Sequence, residues 1–186
     1  MSPQRPTVAV LVGSLRKGSH NKQLARALEK IAGGRAEFRR IRIDGLPLYD
    51  QDFDNDYPPV CKRLKDEIKA CDAVLFVTPE YNRSVPGVLK NAIDIASRPW
   101  GTNSFAGKPG AVTGTSAGAM STALAQQHLR NICVFLDIPL LQQPEAFVRY
   151  KDGLFAEDGS VSDESVAKFL GNFLDRYLEW IKRFIA

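Results

Sequence analysis

The chain has 186 residues, of which 44% are hydrophobic and 25% are charged, as in an ordinary globular domain with one hydrophobic core. Its net charge of +4 is too small and too dispersed to indicate a nucleic-acid-binding protein. Three widely spaced cysteines without a Cys-x-x-Cys pair predict reduced thiols, not disulfides or a metal site. Because no apolar segment resembles a signal core or a membrane span, we expect a cytoplasmic protein with no membrane partner.

Strand-like and helix-like segments alternate along the chain. Strands are predicted at 8–12, 35–43, 73–77, 110–114 and 138–141, with 145–148 extending or flanking the last one. Helices are predicted at 22–32, at 60–70, from Pro86 with Ser84 as candidate cap, at 119–136, and at the C-terminus with Ser162 or Asp163 as cap. Five alternations predict an α/β fold: one domain over 1–186, with a five-stranded parallel sheet covered by helices on both faces.

The loop after the first strand has the character of an anion site. Val8–Val12 is a continuous apolar run, typical of a strand buried on both faces, and it ends at Gly13. Hydroxyl and cationic side chains follow, and Asn21 stands where the N-cap of the next helix is expected. Free N–H groups and the positive end of a helix dipole would both point at this loop, so we expect a phosphate group there.

Better-known phosphate loops do not match this segment. Gly13 and Gly18 have Walker A spacing, but Ser19-His20 replaces the Lys-Ser pair. Leu15 stands where a dinucleotide fingerprint needs its second glycine, and no cysteine is near for phosphatase chemistry. Two interpretations remain: a loop that binds a terminal monophosphate without attacking it, and a plain turn whose hydroxyls only cap the helix.

Two further loops are expected at the same edge of the sheet, at 78–84 and 114–119. In parallel sheets, ligands bind beyond the carboxyl ends of the strands, so the three loops are candidates for one shared site. Tyr81 and Asn82 could offer a ring and an amide to a flat heteroaromatic ligand, although a half-buried Tyr81 that anchors its own loop is also a common arrangement. Arg83 fits either a solvated cation or a charge that stabilises an anionic ring or acceptor.

Two motifs, in this order, carry a family resemblance. The first is Gly13-Ser14-Leu15-Arg16-Lys17-Gly18-Ser19 with Asn21; the second is Thr78-Pro79-Glu80-Tyr81-Asn82 followed by Ser84-x-Pro86-Gly87-x-Leu89-Lys90-Asn91-Ala92-Ile93-Asp94. From about Thr7 to Val148 the chain resembles the NAD(P)H-dependent FMN reductase family, and within it the bacterial chromate/quinone reductases.

The resemblance implies a flavodoxin-like three-layer sandwich, tightly bound FMN, and a homodimer or a dimer of dimers (a homotetramer). It also implies two-electron reduction of quinones and other acceptors, such as chromate, by NADH or NADPH. The FMN phosphate would be held by Ser14, Arg16, Ser19 and Asn21, with Leu15 and His20 lining the same loop. The isoalloxazine ring would be bordered by Pro79, Glu80, Tyr81, Asn82 and Arg83, with Ser116 approaching from the third loop.

With FMN bound, the hydride chemistry belongs to flavin N5 and no catalytic side chain is required. We therefore expect ping-pong turnover, with Arg83 drawing an anionic acceptor or a nicotinamide-cofactor phosphate to the open face. The rival hypothesis is a flavodoxin-like electron carrier that lacks a small-molecule acceptor of its own. Such carriers are usually strongly acidic, whereas this chain carries +4.

Two other sequence features are interpreted without assigning them a role in chemistry. The acidic run at 50, 52, 54 and 56 alternates like an EF-hand loop, but Asn55 and Cys61 replace its required glycine and glutamate. We expect a solvated loop with no metal.

The predicted helices at 86–98 and 119–136 are apolar over more of their surface than one sheet contact needs, which indicates a subunit interface. His128 is expected to pack or to lie in that interface.

Overall fold

A five-stranded parallel sheet forms the core of the protein. The computed structural model describes residues 5–185. The strands are β1 (Thr7–Val12), β2 (Glu37–Ile41), β3 (Ala73–Val77), β4 (Gly110–Ser116) and β5 (Ala146–Arg149). They lie in the order β2-β1-β3-β4-β5, and every neighbouring pair is parallel. This is the flavodoxin-like strand order, so the predicted fold class is confirmed.

Helices cover both faces of this sheet and complete a three-layer sandwich. The α-helices of the described chain are α1 (His20–Ala32), α2 (Pro59–Lys69), α3 (Gly87–Ser97), α4 (Ala123–Phe135) and α5 (Glu164–Ile181). Side chains of α1 and α5 pack in one hydrophobic cluster, and those of α2, α3 and α4 pack in the other. None of the described helices combines the length and the apolar character needed to cross a membrane.

The position of the central strands between two helical layers explains why their sequences are continuous apolar runs. In β1, Val8 and Val10 enter the cluster on the α1 side and Leu11 enters the cluster on the opposite face, so both faces must be apolar. β2 lies next to β1 toward one edge of the sheet, and β3 lies next to β1 toward the other edge. The chain therefore reverses its direction across the sheet after β2. This reversal places a crevice at the carboxyl ends of β1 and β3, where ligands of such sheets bind.

The prediction that the fifth strand lies at 138–141 is wrong, and the flanking segment is the strand instead. Residues 138–141 run past the start of β4, where Gly110 N donates to Pro139 O at 3.0 Å and Leu141 N donates to Gly110 O at 2.8 Å. Only Leu140 forms a bridge with Gly110. Because Pro139 has no N–H to donate, this segment cannot form a continuous ladder. The ladder with β4 forms further along, from Ala146.

Two helix starts differ from the expected caps. Ser19, not Asn21, caps α1: its hydroxyl accepts a hydrogen bond from Lys22 N at 3.3 Å. Asn21 lies inside the first turn. For α3, the N-cap position is Pro86, whose side chain makes no cap hydrogen bond, so Ser84 does not have the predicted role.

The start of α4 is later than predicted, whereas the predicted cap of α5 is confirmed. Ser121 has a φ of 48° and donates its hydroxyl to Val148 O at 2.7 Å, so residues 117–122 form a loop and α4 begins only at Ala123. At α5, Asp163 accepts hydrogen bonds from Ser165 N at 2.9 Å and Val166 N at 3.2 Å. Such a cap satisfies N–H groups that the first helical turn leaves free.

Gly114 allows β3 and β4 to approach closely where their site loops begin. A Cβ atom at this position would lie 2.0 Å from Thr78 O and 2.6 Å from Thr122 Oγ1. No real side chain fits at these distances, and one of the two obstacles is a backbone atom. The third and fourth strands therefore need glycine here to bring their C-terminal loops together.

We expect Gly114→Ala to lower the free energy of unfolding by about 3 kcal/mol, since the added methyl group overpacks a site bounded by backbone. Urea unfolding followed by circular dichroism measures this change. Gly171→Ala is the matched control, because this α5 glycine has no neighbouring atom within 4 Å of the added Cβ. The control should gain about 1 kcal/mol from helix propensity. Equal stability of wild type and Gly114→Ala would contradict the close approach.

Candidate functional site

Loop 1, residues 13–19, joins β1 to α1 and forms a pocket of free backbone donors. Gly13 N donates to Val77 O at 2.9 Å, which ties the start of the loop to β3. Ser14 and Ser19 are buried, whereas residues 15–18 are exposed. Within the described chain, the backbone N–H groups of residues 15–21 have no hydrogen-bond acceptor. Seven successive free donors at a helix N-terminus are well suited to an anion.

Cationic side chains surround these donors. The guanidinium of Arg16 folds back over loop 1, with its terminal nitrogen 3.9 Å from the position that a Cβ of Gly18 would take. Neither Arg16 nor Lys17 forms a salt bridge with any described residue. An unpaired guanidinium, two serine hydroxyls and free N–H groups together fit a terminal phosphate.

Asn21 connects loop 1 to the end of β4. Its Nδ2 donates to Thr115 O at 2.9 Å, and its Oδ1 accepts from Thr115 N at 3.0 Å. Both ends of this buried amide are therefore engaged with backbone. The Asn21 side chain therefore sets the position of loop 1, and its backbone N–H remains free for the predicted phosphate contact.

His20 and Tyr150 form a stacked pair beside loop 1. Their ring centroids are 3.5 Å apart, with an angle of 25° between the ring planes. Tyr150 follows β5, and its backbone N donates to Ser116 O at 2.9 Å. The stack thus joins the first turn of α1 to the end of the edge strand. Sequence reasoning missed Tyr150, because nothing in the chain near it signals which residue it will meet.

Loop 2, residues 78–86, presents its tip through a tight turn. Tyr81 N donates to Ser84 O at 3.1 Å and Ser84 N donates to Tyr81 O at 3.0 Å. Between them, Asn82 and Arg83 have φ values of 51° and 65°. Positive φ at both central residues is the geometry of a type I′ turn. Tyr81, Asn82 and Arg83 are all exposed at this tip, whereas Pro79 is half-buried below it.

Glu80 has a role that the sequence did not indicate. Its Oε2 accepts hydrogen bonds from Leu124 N at 2.9 Å and Ala125 N at 3.1 Å. The carboxylate therefore caps α4, which has no cap of its own, and its charge is favourable beside the positive helix end. Glu80 can border a ligand through its backbone, while its side chain anchors loop 2 on α4.

Loop 3, residues 117–122, follows β4 and completes the edge. Ser116 is half-buried at its start, where its hydroxyl accepts from Gly118 N at 3.3 Å. The Oγ1 of Thr115, a residue only 1% exposed, has no hydrogen-bond partner among the described residues. A buried hydroxyl of this kind needs a ligand or a water molecule as partner. Sequence reasoning included Thr115 in the candidate loop 114–119 but gave it no role of its own, since its burial depends on neighbours distant in the chain.

The three loops follow β1, β3 and β4, which are neighbouring parallel strands, so they lie at one edge of the sheet. Each loop also contributes one exposed apolar side chain: Leu15, Tyr81 and Met120. The donors and cations of loop 1 suit a phosphate, and apolar surface from all three loops suits the flat ring system of a flavin. These residues therefore fit a flavin mononucleotide, and the fold and site together define a flavodoxin-like flavoprotein.

Comparison with known proteins identifies the family. Residues 6–152 match the family model for NADPH-dependent FMN reductases. The chain is 50% identical to a 2-hydroxy-1,4-benzoquinone reductase from a Burkholderia species, over 94% of this chain and 96% of that one. It is 48% identical to a quinone reductase from Pseudomonas putida, over 95% of each chain. The structure of the flavoenzyme FerB, an NAD(P)H:(acceptor) oxidoreductase from Paracoccus denitrificans, superimposes with a TM-score of 0.93 at 50% identity, covering 96% of this chain and 98% of FerB.

The chain belongs to the NADPH-dependent FMN reductase family. FMN is accordingly its cofactor and NAD(P)H its co-substrate. The predictions of family, fold and cofactor are confirmed, whereas the individual contacts of the site residues with FMN stay predictions.

We expect Arg16→Ala to weaken FMN binding by roughly 10- to 100-fold, the size expected for losing a hydrogen bond to a charged group. Fluorescence titration of the apoprotein measures the dissociation constant. Riboflavin, which lacks the phosphate, should bind wild type and Arg16→Ala equally well. If Arg16→Ala weakened both ligands alike, the guanidinium would not be a phosphate contact.

Proposed function

We propose that this protein passes hydride from NADH or NADPH to quinones and to other small acceptors such as chromate. The observation that carries the proposal is that the two ends of the site differ in chemistry. Loop 1 offers free donors and an unpaired cation for the FMN phosphate, while the exposed tip of loop 2 borders the other end. Relatives named as quinone reductases, at 48–50% identity over nearly the whole chain, support a quinone as acceptor.

The side chains in this proposal bind and orient. Ser14, Arg16 and Ser19 hold the phosphate, Tyr81 and Met120 provide apolar contact for the ring, and one ring face stays open to substrates. When held by these residues, FMN would supply two-electron hydride chemistry at N5 between the nicotinamide and the acceptor.

The cysteines fit this assignment. Cys61, Cys71 and Cys133 are free and buried. Burial raises the pKa of each thiol, to about 12 for Cys133. Because only the thiolate reacts, these thiols stay inert near neutral pH and leave the redox chemistry to the flavin. We also propose a cytoplasmic location, which free thiols suit.

We expect ping-pong kinetics, since the nicotinamide and the acceptor would use the same open face in turn. Steady-state rates with NADPH and a benzoquinone should give parallel double-reciprocal lines, and the purified protein should be yellow and release FMN on denaturation. Intersecting lines would contradict the shared face. A yellow protein that NAD(P)H does not reduce would instead support the alternative, a flavodoxin-like electron carrier.

Arg83 is our candidate for drawing anionic substrates to this face. It is exposed at the tip of loop 2, and it makes no salt bridge with any residue between 5 and 185. A cation that is not neutralised by a neighbouring carboxylate attracts chromate or the phosphates of a dinucleotide over several ångströms.

We expect Arg83→Ala to raise the KM for chromate and for NADPH by roughly three- to tenfold, with a smaller change for a neutral quinone. Arg83→Lys, which keeps the charge, should retain most of the wild-type KM. Added salt should reduce the difference between wild type and Arg83→Ala, because salt screens exposed charges. Unchanged kinetics for all three substrates would refute this role.

We further propose a homodimer, or a dimer of such dimers, formed through an apolar patch of Trp100, Val134 and Phe135. These side chains are 77%, 81% and 66% exposed, and the rings of Trp100 and Phe135 lie 6.2 Å apart. Large neighbouring apolar side chains are rarely left in water unless a partner covers them.

We expect Phe135→Glu to shift the protein toward the monomer in sedimentation velocity, because a carboxylate cannot be buried unpaired in an apolar interface. Phe184→Glu, three residues past the end of α5 and on the opposite face of the sheet, is the control and should leave the assembly unchanged. A monomeric wild type would refute the proposed patch.

A further inference from the structure

Loop 2 is attached to α4 at both ends of its exposed turn. At the first end, Glu80 accepts from the N–H groups of Leu124 and Ala125. At the second end, the hydroxyl of Ser84 lies 2.9 Å from Nδ1 of His128. Residues 124 and 128 are one helical turn apart and thus share a face of α4. The same helix surface therefore holds the base of the turn on both sides.

The turn between these two attachments has a backbone conformation that is unfavourable for one of its central residues, Arg83. Both central residues have positive φ, and neither is a glycine. Arg83 is a bulky side chain in the left-handed region, where Cβ crowds the backbone. Such conformations persist only when their surroundings hold them. The backbone bonds between Tyr81 and Ser84 close the turn, but the side-chain bond to His128 connects it to the rigid part of the fold.

We propose that His128 is a positioning residue for the NAD(P)H and acceptor site. Through the hydroxyl of Ser84, it holds the turn in the conformation that presents Tyr81 and Arg83 to the open face of the flavin. His128 itself makes no contact with the reacting atoms. This inference rests on the proposed function, because the substrates of the turn are the dinucleotide and the acceptor.

The bond to His128 restrains only the turn and contributes nothing to the phosphate site in loop 1. Its loss therefore leaves the phosphate contacts of FMN in place, and FMN affinity falls less than substrate affinity while the turn samples other conformations. Substrates then meet a correctly placed Tyr81 and Arg83 for a smaller fraction of the time, which raises KM more than it lowers kcat.

The test compares FMN-loaded His128→Phe and Ser84→Ala with His128→Asn, Ser84→Thr and the control Gln127→Ala. Asn places a polar atom near the position of Nδ1, and Thr keeps the hydroxyl, so both should behave like wild type. Gln127 is exposed on the same helix, and its side chain forms no hydrogen bond to a described residue. We expect His128→Phe and Ser84→Ala to raise the KM for NADPH and for a benzoquinone roughly three- to tenfold, with little change in kcat, FMN affinity or melting temperature.

A second readout does not depend on activity. Trypsin cleaves after arginine, and the Arg83–Ser84 bond lies in the exposed turn. Cleavage there requires local opening, so it should be roughly three- to tenfold faster in His128→Phe and Ser84→Ala than in wild type or Gln127→Ala. Asn at position 128 should restore the wild-type cleavage rate.

Three results would overturn the inference. One is an unchanged KM in both bond-deleting variants. Another is a loss of FMN affinity and melting temperature as marked as the rise in KM, which would mean that His128 supports the fold in general. The third is unchanged cleavage after Arg83. A wild type that does not oxidise NAD(P)H would refute the proposed function alone, and trypsin would still decide whether His128 holds the turn.

Discussion

The paired hydrogen bonds between Asn21 and Thr115 fix the position of loop 1 relative to the central sheet. They join residues 94 positions apart in the chain, at 2.9 and 3.0 Å, and both partners are buried. A buried amide with both ends bonded to backbone is costly to disrupt, because each freed group would lose its partner without gaining water. The start of α1 is thereby held against the end of β4. The free N–H groups of loop 1 consequently lie at the same edge of the sheet as loops 2 and 3.

The other half of the site is held by α4. Gly114 lets the end of β4 approach Thr78, and Glu80 then reaches the uncapped N-terminus of α4. The same contact stabilises the helix and positions the loop, since the carboxylate satisfies N–H groups that would otherwise lack partners. The two ends of the crevice therefore have different supports. Loop 1 depends on α1 and β4, whereas the turn of loop 2 depends on α4.

Local patterns predicted much of the site but not how its residues are used. The Gly, Ser and Arg content of loop 1 indicated an anion site, because helix starts and small polar residues are adjacent in sequence. Asn21 was expected as an N-cap, yet Ser19 caps the helix and the Asn21 amide bonds to Thr115. Glu80 was expected beside a ring, yet its carboxylate caps α4. Each difference comes from a partner at least 44 residues away along the chain.

The sequence alone determined the α/β class, the parallel central strands and the three loops at the carboxyl edge of the sheet. Continuous apolar runs such as Val8–Val12 and the periodicity of the helices are local consequences of burial, so they can be recognised without knowing any partner. Only the tertiary structure decided that β5 begins at Ala146 and not at Ile138, and that Ser84 meets His128. Those outcomes depend on which distant backbone and side-chain groups become neighbours. Hydrogen-bond partners of that kind are set by packing of the whole sheet, not by any stretch of sequence.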